Sequence, residues 1–174
     1  MNNNDRLVRL RYALDIKDTD MVEIFKLGGL ELTKEDVKKM LTKSINESSD
    51  KVKEEEFQKN DYVKDCSNQT LESFLNGLIV FKRGRRDSEA KETEKPVLMM
   101  INDRNVNNVL LKKIKIALSL TSEDMLGVLG NAGVHLSKSE LSAVLRKEGH
   151  RNYKECGDRY ARNFLKGLAI AWRE

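Results

Sequence analysis

The sequence predicts an all-α protein made of two similar four-helix units. The chain of 174 residues contains a single proline and 6% aromatic residues, a composition that suits helices better than strands. Apolar residues recur every three or four positions through most of the chain, which is the spacing of a helix that buries one face. The chain also aligns with itself at two offsets, and such self-similarity is typical of a duplicated fold.

The self-similarity divides the chain into two repeats. An offset of 104 residues aligns YALDIKDTDMVEIFKLGGLELTKEDVKKMLTK with IALSLTSEDMLGVLGNAGVHLSKSELSAVLRK, and an offset of 90 aligns CSNQTLESFLNGL with CGDRYARNFLKGL. We assign repeat 1 to residues 2–84 and repeat 2 to residues 102–174. Residues 44–61 form an acidic insertion in repeat 1, and residues 85–101 form a charged linker that ends in an apolar arm. The signature positions that both repeats share are Gly29 and Gly133, Cys66 and Cys156, Phe74 and Phe164, and Gly77 and Gly167.

The first two helices of repeat 1 are delimited by turn residues. The first is predicted from about Asn4 to Leu14, where leucines lie on one stripe. The second begins at Asp18 or Thr19, with Asp18 as a plausible N-cap. It ends at Gly28-Gly29, where a left-handed residue is needed to close the helix.

The third and fourth helices begin at hydroxyl residues. Thr33 with Asp36 forms an acidic variant of the capping box, and Ser137 with Glu140 repeats that geometry in the second half. Ser67 is the predicted N-cap of the fourth helix, which follows Cys66 directly. The four helices of each repeat are expected to bury their apolar stripes in one core. We also expect the two repeats to be related by pseudo-two-fold symmetry and packed together as a helical bundle.

A glycine interrupts the apolar face of the fourth helix in both repeats, in FLNGL and in FLKGL. A glycine inside a helix costs on the order of 1 kcal/mol relative to alanine. Its occurrence in both repeats predicts that another helix backbone passes close to Gly77 and to Gly167. We expect the two fourth helices to cross each other there, about the pseudo-two-fold axis.

The segments outside the repeated helices have contrasting character. The linker RGRRDSEAKETEKP is highly charged and is expected to be mobile. The apolar arm Val97–Met100 is expected to pack onto one of the repeats. Trp172 is predicted to complete the core, with an exposed binding anchor as the alternative.

The chain resembles a bacterial family through these patterns. The resemblance rests on the segments ALDI…DMVEIFKLGGLELTKEDV and YVKDCSNQTLESFLNGLIVFKRG, and on the second signature AGV…CGD…FLKGL. They are similar to the uncharacterised YehS-like proteins, a family of unknown function with a duplicated helical domain. The resemblance covers nearly the whole chain and departs from it in the acidic insertion and the linker. It implies a duplicated helical fold, and it implies no activity, cofactor or catalytic residue.

No cofactor or metal site is predicted. The phosphate-binding patterns GxxxxGK[ST] and GxGxxG are absent from the sequence. His135 and His150 lie far from any pair of cysteines, so no zinc spacing exists. Acidic residues occur mainly at predicted helix starts, where they complement the helix dipole, and no carboxylate pair for acid–base work emerges.

Cys66 and Cys156 allow two interpretations. A thiol at the start of a helix can have a lowered pKa and be reactive. The same residue can instead serve as a small buried apolar side chain, which is the interpretation that we favour. We therefore predict that the protein is not an enzyme, while an active site assembled from residues distant in sequence is left open.

The net charge of +4 is unevenly distributed, because residues 97–174 alone carry +5. Such an excess can indicate an acidic partner. The candidate residues for binding phosphate or an acidic partner lie in two basic clusters, and they are Lys82, Arg83, Arg85 and Arg86, with Arg146, Lys147, Arg151, Lys154, Arg159 and Arg162. A solvated basic surface without a partner is the alternative interpretation.

Helices two and three of each repeat have the outline of a helix-turn-helix. The third helices would present Lys34, Lys38 and Thr42 in repeat 1, and Lys138, Ser142 and Arg146 in repeat 2. The turn GGLEL is longer than the three or four residues usual in that motif. Nucleic-acid binding through such units is therefore the second hypothesis.

The sequence taken together predicts a cytoplasmic regulatory or adaptor protein that acts by binding a protein or nucleic-acid partner. The longest apolar runs are far shorter than the roughly 20 residues that cross a membrane, and the N-terminus has no signal-peptide core. Two cysteines do not form a disulfide framework. The alternatives are a nucleic-acid-binding protein with helix-turn-helix-like units and, third, an enzyme.

Overall fold

The computed structural model describes residues 1–43, 62–84, 99–100, 103–146 and 149–173. These residues form eight α-helices: α1 (Asn3–Leu14), α2 (Asp18–Leu27), α3 (Lys34–Leu41), α4 (Asn68–Arg83), α5 (Val106–Ala117), α6 (Ser122–Asn131), α7 (Lys138–Leu145) and α8 (Asp158–Arg173). Within these ranges the one β-type pairing is an isolated antiparallel bridge between Lys43 and Tyr62. The predicted all-α class is confirmed.

The predicted hydroxyl caps are present. Thr33 accepts a hydrogen bond from the backbone N–H of Asp36 and Ser137 accepts one from that of Glu140, with the acidic side chain closing a capping box each time. The Ser67 side chain caps α4 by accepting from the N–H of Thr70. These local hydrogen bonds satisfy N–H groups that have no partner inside the helix.

The predicted cap of α2 is wrong. The N-cap position is Lys17, which makes no side-chain cap hydrogen bond, and Asp18 lies inside the first turn. The Asp18 carboxylate accepts instead from the guanidinium of Arg11, at 2.7 Å. An ion pair with the preceding helix has replaced the local cap, because the turn between α1 and α2 brings the two side chains together.

Gly29 closes α2 as predicted, and Gly133 closes α6 in the same way. Their φ angles are +90° and +82°, in the left-handed region that favours glycine. A β-carbon at either position would meet nothing within 4 Å, so the backbone conformation and not the available space requires glycine.

The helices are interleaved between the two halves of the chain. Helix α1 packs mainly against α8, and α5 packs mainly against α4. Helices α2 and α6 pack against α4 and α8 of their own halves. One hydrophobic cluster contains residues from all eight helices, including the fully buried rings of Phe74 and Phe164. The described residues therefore form one helical bundle around a shared core.

The glycines of α4 and α8 lie at close helix crossings, as predicted, but with different partners. The Ile24 carbonyl of α2 lies against Gly77, and the Val128 carbonyl of α6 lies against Gly167. The expectation that α4 and α8 cross each other at these glycines is wrong. Each glycine admits a helix from its own half, since α1 and α5 occupy the flanks through which the two halves meet.

The apolar arm before α5 is described only at its end, Met99 and Met100. Met99 packs against the core and Met100 is buried in it, beside Glu72 of α4 and its partner Lys113 of α5. The described end of the arm therefore packs where the two halves meet and not on one repeat alone; Val97 and Leu98 lie outside the described residues. The insertion 44–61 and the linker 85–98 also lie outside them.

Trp172 is 41% exposed, and the prediction of a core residue is wrong because α8 extends beyond the helices that pack on it. No described helix is both long and apolar enough to span a bilayer.

Candidate acidic-partner surface

Asparagines at the starts of α1 and α5 tie each half of the chain together. The Asn3 amide donates to the Cys66 carbonyl at 3.1 Å and to the Asn68 side chain at 2.7 Å. The Asn107 amide donates to the Cys156 carbonyl at 3.0 Å. These amides connect the first helix of each half to the residues that precede its last helix.

The next asparagine in each half satisfies three backbone groups at once. The Asn4 amide donates to the carbonyls of Met40 at 2.9 Å and Lys64 at 2.8 Å, and its oxygen accepts from the Cys66 N–H at 3.0 Å. Asn108 makes three bonds of the same kind, to the backbone of Val144, Lys154 and Cys156. Buried backbone groups need such partners, so these asparagines serve the fold.

Arg6 lies at the junction of the two halves. Its guanidinium donates to Asn107 at 2.8 Å, to Asn3 at 2.7 Å and to Asp158 at 3.1 Å. The N-terminal ammonium of Met1 lies 3.2 Å from the same carboxylate of Asp158. Arg6 thus has three protein partners. We therefore interpret this buried polar junction as part of the folded framework and not as a binding site.

The two cysteines are buried at equivalent places, 6% and 2% exposed for Cys66 and Cys156. Burial raises the pKa of each thiol to about 12. A thiol with that pKa is almost entirely protonated at neutral pH and is a poor nucleophile. Both residues belong to the hydrophobic core, as the apolar interpretation of the sequence expected.

A buried ion pair occupies the groove between α4 and α5. Glu72 is 0% exposed and lies 3.4 Å from the ammonium of Lys113, which also donates to Asn76. The other contacts of the Glu72 carboxylate are backbone N–H groups of the arm, from Met99 at 2.6 Å and Met100 at 2.8 Å. The arm is therefore held in this groove by a carboxylate that accepts two of its main-chain hydrogen bonds.

Three cations share the exposed face of α8, and we call them the basic face: Arg159, Arg162 and Lys166. Their spacing places them on one side of the helix over about 10 Å of its length. In the part of the chain that the structure describes, no carboxylate forms an ion pair with any of them. The sequence pattern predicted the two arginines but not Lys166, although its position one turn after Arg162 was a usable signal.

The other predicted residues of repeat 2 lie on the segment that precedes α8. Arg151 and Lys154 are exposed there, and the Lys154 backbone N–H donates to the Ala143 carbonyl of α7 at 2.9 Å. Arg146 follows α7 and lies 3.4 Å from the ring of His150. This segment leads directly into α8, so the structure brings Lys154 and the basic face into one continuous region.

The predicted cluster at the end of α4 is not part of that region. Lys82 and Arg83 lie about 20 Å along α4 from its start at Asn68, which is bonded into the junction near the start of α8. Arg83 donates to the Ile116 carbonyl at 3.1 Å, a contact between the ends of α4 and α5. Three predicted residues lie outside the described residues, namely Arg85, Arg86 and Lys147.

The helix-turn-helix outline has both favourable and unfavourable features. Lys34 and Lys38 are exposed on α3, as expected. The connection between α2 and α3 has six residues, 28–33, and is longer than the usual tight turn. In the second half, the ammonium of Lys138 is paired with the carboxylate of Glu123 at 3.0 Å. This ion pair competes with any contact between Lys138 and a phosphate.

The described residues contain no group of three or more histidine, cysteine, aspartate and glutamate side chains able to hold a metal ion. The polar groups of the junction, the asparagine bonds and the Glu72 pair lie in the interior and bind protein groups there. The class that fold and surface define is an all-helical bundle with a buried polar junction and one exposed basic helix.

Comparison with known proteins places the chain in a family. The family described as "Protein of unknown function (DUF1456)" matches residues 3–84 and 107–173, and the chain belongs to it. The chain is also 39% identical over 170 residues to "Uncharacterized protein YehS" of Escherichia coli (strain K12), which covers 97% of this chain and 95% of that relative. No solved structure matches. The resemblance read from the sequence is thereby confirmed.

Proposed function

We propose that this protein is a non-enzymatic regulatory or adaptor protein that binds a negatively charged macromolecule through the basic face of α8. The observation that carries the proposal is the local charge. Residues 149–173 contain six lysines and arginines and two acidic residues, a net charge of +4 that equals that of the whole chain. Cations held in a row on a rigid helix attract an anionic surface at long range and position it at short range.

The charge is a property of this segment and not of its counterpart. Residues 62–84 occupy the corresponding place in the first half and contain three basic and two acidic residues, a net charge of +1. The position of Arg162 is taken there by the buried Glu72, and that of Lys166 by Asn76. If the positive charge served only to keep the surface solvated, both units would be expected to carry it. Its concentration in one of the two units therefore supports a binding role.

The proposal includes a duplicated architecture. We infer two tandem homologous repeats related by pseudo-two-fold symmetry, with the boundaries assigned from the sequence. The family matches the chain over two separate ranges, and the Asn4 and Asn108 bonds recur at the 104-residue offset. The pairing of α1 with α8 and of α5 with α4 is what such an axis would produce. Two free buried cysteines support a cytoplasmic setting.

Nucleic-acid binding is the second candidate function. The exposed lysines of α3, Lys34 and Lys38, favour a helix-turn-helix mode, and the basic face favours phosphate contacts without sequence readout. The six-residue turn and the ion pair of Lys138 with Glu123 weigh against the first mode. An enzyme stays the third hypothesis.

The experiment is an anisotropy titration of three labelled probes, a 20-base-pair duplex, a single-stranded RNA and a peptide rich in aspartate and glutamate, at about 50 and 200 mM salt. The test variant replaces Arg159, Arg162 and Lys166 with glutamine. Its control replaces three exposed lysines elsewhere, namely Lys17, Lys26 and Lys43, and has the same net charge.

We expect at least one probe to bind, to weaken with salt, and to lose at least tenfold in affinity in the test variant and at most twofold in the control. Equal losses in the two variants, or no binding of any probe at 50 mM salt, would contradict the proposal. A loss confined to a Lys34→Gln/Lys38→Gln variant would favour the helix-turn-helix mode instead.

A further inference from the structure

We propose that the groove between α1 and α8 is a binding site for an extended acidic peptide segment of a partner protein. The inference deepens the proposed function and rests on it. It identifies the α1–α8 groove as the open counterpart of the α4–α5 groove, which the chain fills with its own arm.

The α4–α5 groove shows what such a groove accommodates. Two consecutive residues outside any helix, Met99 and Met100, lie in it and donate their backbone N–H groups to Glu72. Lys113 of α5 neutralises the carboxylate from the other side of the groove. Met100 is buried there. The α4–α5 groove thus takes up a single segment of chain through main-chain hydrogen bonds and an apolar contact.

The two grooves correspond position by position. The offset of 104 that aligns the first three helices of the halves takes Arg9 of α1 to Lys113 of α5. The offset of 90 that aligns the last helices takes Glu72 of α4 to Arg162 of α8, and likewise Asn76 to Lys166. Because α1 packs on α8 as α5 packs on α4, we infer that Arg9, Arg162 and Lys166 occupy the places that Lys113, Glu72 and Asn76 take in the α4–α5 groove.

The side chains at these three positions of the α1–α8 groove differ in charge and exposure from those of the α4–α5 groove. In the α1–α8 groove they are all cationic and all exposed, where the α4–α5 groove has one cation, one anion and one amide, all buried. No described residue forms an ion pair with Arg9, Arg162 or Lys166. A strand in this groove must therefore present acceptors, which are carboxylates and main-chain carbonyls, where the arm presents N–H donors.

The edge of the groove also offers apolar surface. Ala169 is partly buried against the core, and Trp172 lies one turn further along the same stripe of α8 and is 41% exposed. Aromatic residues at the edge of a charged surface are common anchors for a partner side chain. The best occupant is thus an acidic segment that also carries an apolar residue.

The dimensions favour a peptide over duplex nucleic acid. Packed helices lie about 8–10 Å apart at their axes, so the groove between them admits one extended chain and not a duplex. Arg9 decides between the alternatives, since it lies on α1, across the groove from the basic face. Phosphates bound along the outside of α8 would contact Arg159 and Arg162 and would not require Arg9.

The test titrates a fluorescein-labelled acidic peptide of about twelve residues, containing glutamate, aspartate and leucine, into the full chain and its variants. Arg9→Gln and Arg162→Gln should each lower the affinity at least fivefold, while Arg9→Lys should retain it within twofold. Lys26→Gln, an equal loss of charge at an exposed position of α2 outside the groove, should change it by at most twofold. Circular dichroism confirms the fold of each variant.

The outcomes separate the two proposals. If Arg162→Gln weakens peptide binding and Arg9→Gln does not, the groove is wrong and the basic face stands. If duplex DNA or RNA binds at least tenfold more tightly than the peptide, the partner class is wrong. If no anionic probe binds at about 50 mM salt, both proposals fall.

Discussion

The backbone carbonyl of Ile24 lies in direct contact with the backbone at Gly77. The carbonyl carbon would be 2.8 Å from a β-carbon on Gly77, and the oxygen would be closer still. Val128 stands in the same relation to Gly167, also at 2.8 Å. The apolar faces of α2 and α4, and of α6 and α8, can meet only because these two positions have no side chain.

Replacement of Gly77 or Gly167 with alanine should lower the free energy of unfolding by about 3 kcal/mol or prevent folding, because a carbonyl and not a flexible side chain must move. Urea denaturation followed by circular dichroism measures the change. The matched control is Gly127→Ala in α6, where a β-carbon meets nothing within 4 Å. That variant should be more stable by up to about 1 kcal/mol, and equal effects at all three positions would contradict the packing argument.

The three hydrogen bonds of Asn4 lead to a second prediction. Asn4→Ala leaves the Cys66 N–H and two carbonyls without a partner in the interior, so we expect a loss of about 3 kcal/mol in unfolding free energy. Asn131→Ala, at an exposed position of α6, should change it by less than about 0.5 kcal/mol. A similar small change in Asn4→Ala would show that water replaces the lost bonds.

The ion pair of Glu72 with Lys113 should couple the arm to the core. Glu72→Gln leaves a buried ammonium unpaired, and we expect it to cost about 3 kcal/mol and to speed hydrogen exchange at the Met99 and Met100 amides. The double variant Glu72→Gln/Lys113→Met removes both charges and should be less destabilised than the sum of the single variants. Additive losses and unchanged exchange would mean that the arm is held by its apolar contacts alone.

The cysteines should be unreactive in the folded protein. Since burial raises the thiol pKa of Cys66 and Cys156 to about 12, only a trace of thiolate exists at pH 7. Iodoacetamide labelling followed by mass spectrometry should modify neither residue in native buffer within the time in which both react in urea. Rapid native labelling of one cysteine would point to an accessible thiol and reopen the catalytic interpretation.

The carboxyl of Asp158 should make stability depend on pH in the acid range. Burial acts to raise its pKa, but Asn107, the N-terminal ammonium and Arg6 together hold the pKa below the ordinary value. A depressed pKa adds stability above about pH 4, which is lost as the pH falls through the folded-state pKa. Asp158→Asn should therefore cost about 1 kcal/mol at pH 7, discounted for its exposure, and nothing below about pH 3. The control Glu123→Gln, at an exposed ion pair, should change stability by less than about 0.5 kcal/mol at either pH.

Much of the helical architecture was predictable because its causes are local. The caps at Thr33, Ser67 and Ser137 depend on residues within one turn, and the left-handed Gly29 depends on its own lack of a β-carbon. The cap of α2 failed for a non-local reason, since Asp18 found Arg11 of the preceding helix. The exposure of Trp172 likewise depends on where the neighbouring helices end.

The candidate site was predictable only in its composition. The charge excess of the second half identified Arg159 and Arg162, yet it joined them to Lys82 and Arg83, which lie far away at the end of α4. Arg9 was not identified, because nothing in its sequence neighbourhood sets it apart from other lysines and arginines. Its relevance depends on α1 packing against α8, a contact between residues about 150 positions apart.

The sequence by itself determined the helices, the caps at Thr33, Ser67 and Ser137, the self-similarity and the family, because periodicity and capping act over a few residues. The tertiary structure alone decided which helices meet. The apolar pattern of the helices is satisfied whether α4 packs on α8 or α1 packs on α8 and α5 on α4. The close contacts at Gly77 and Gly167 and the buried ion pair of Glu72 with Lys113 select the second arrangement, which places α1 against α8.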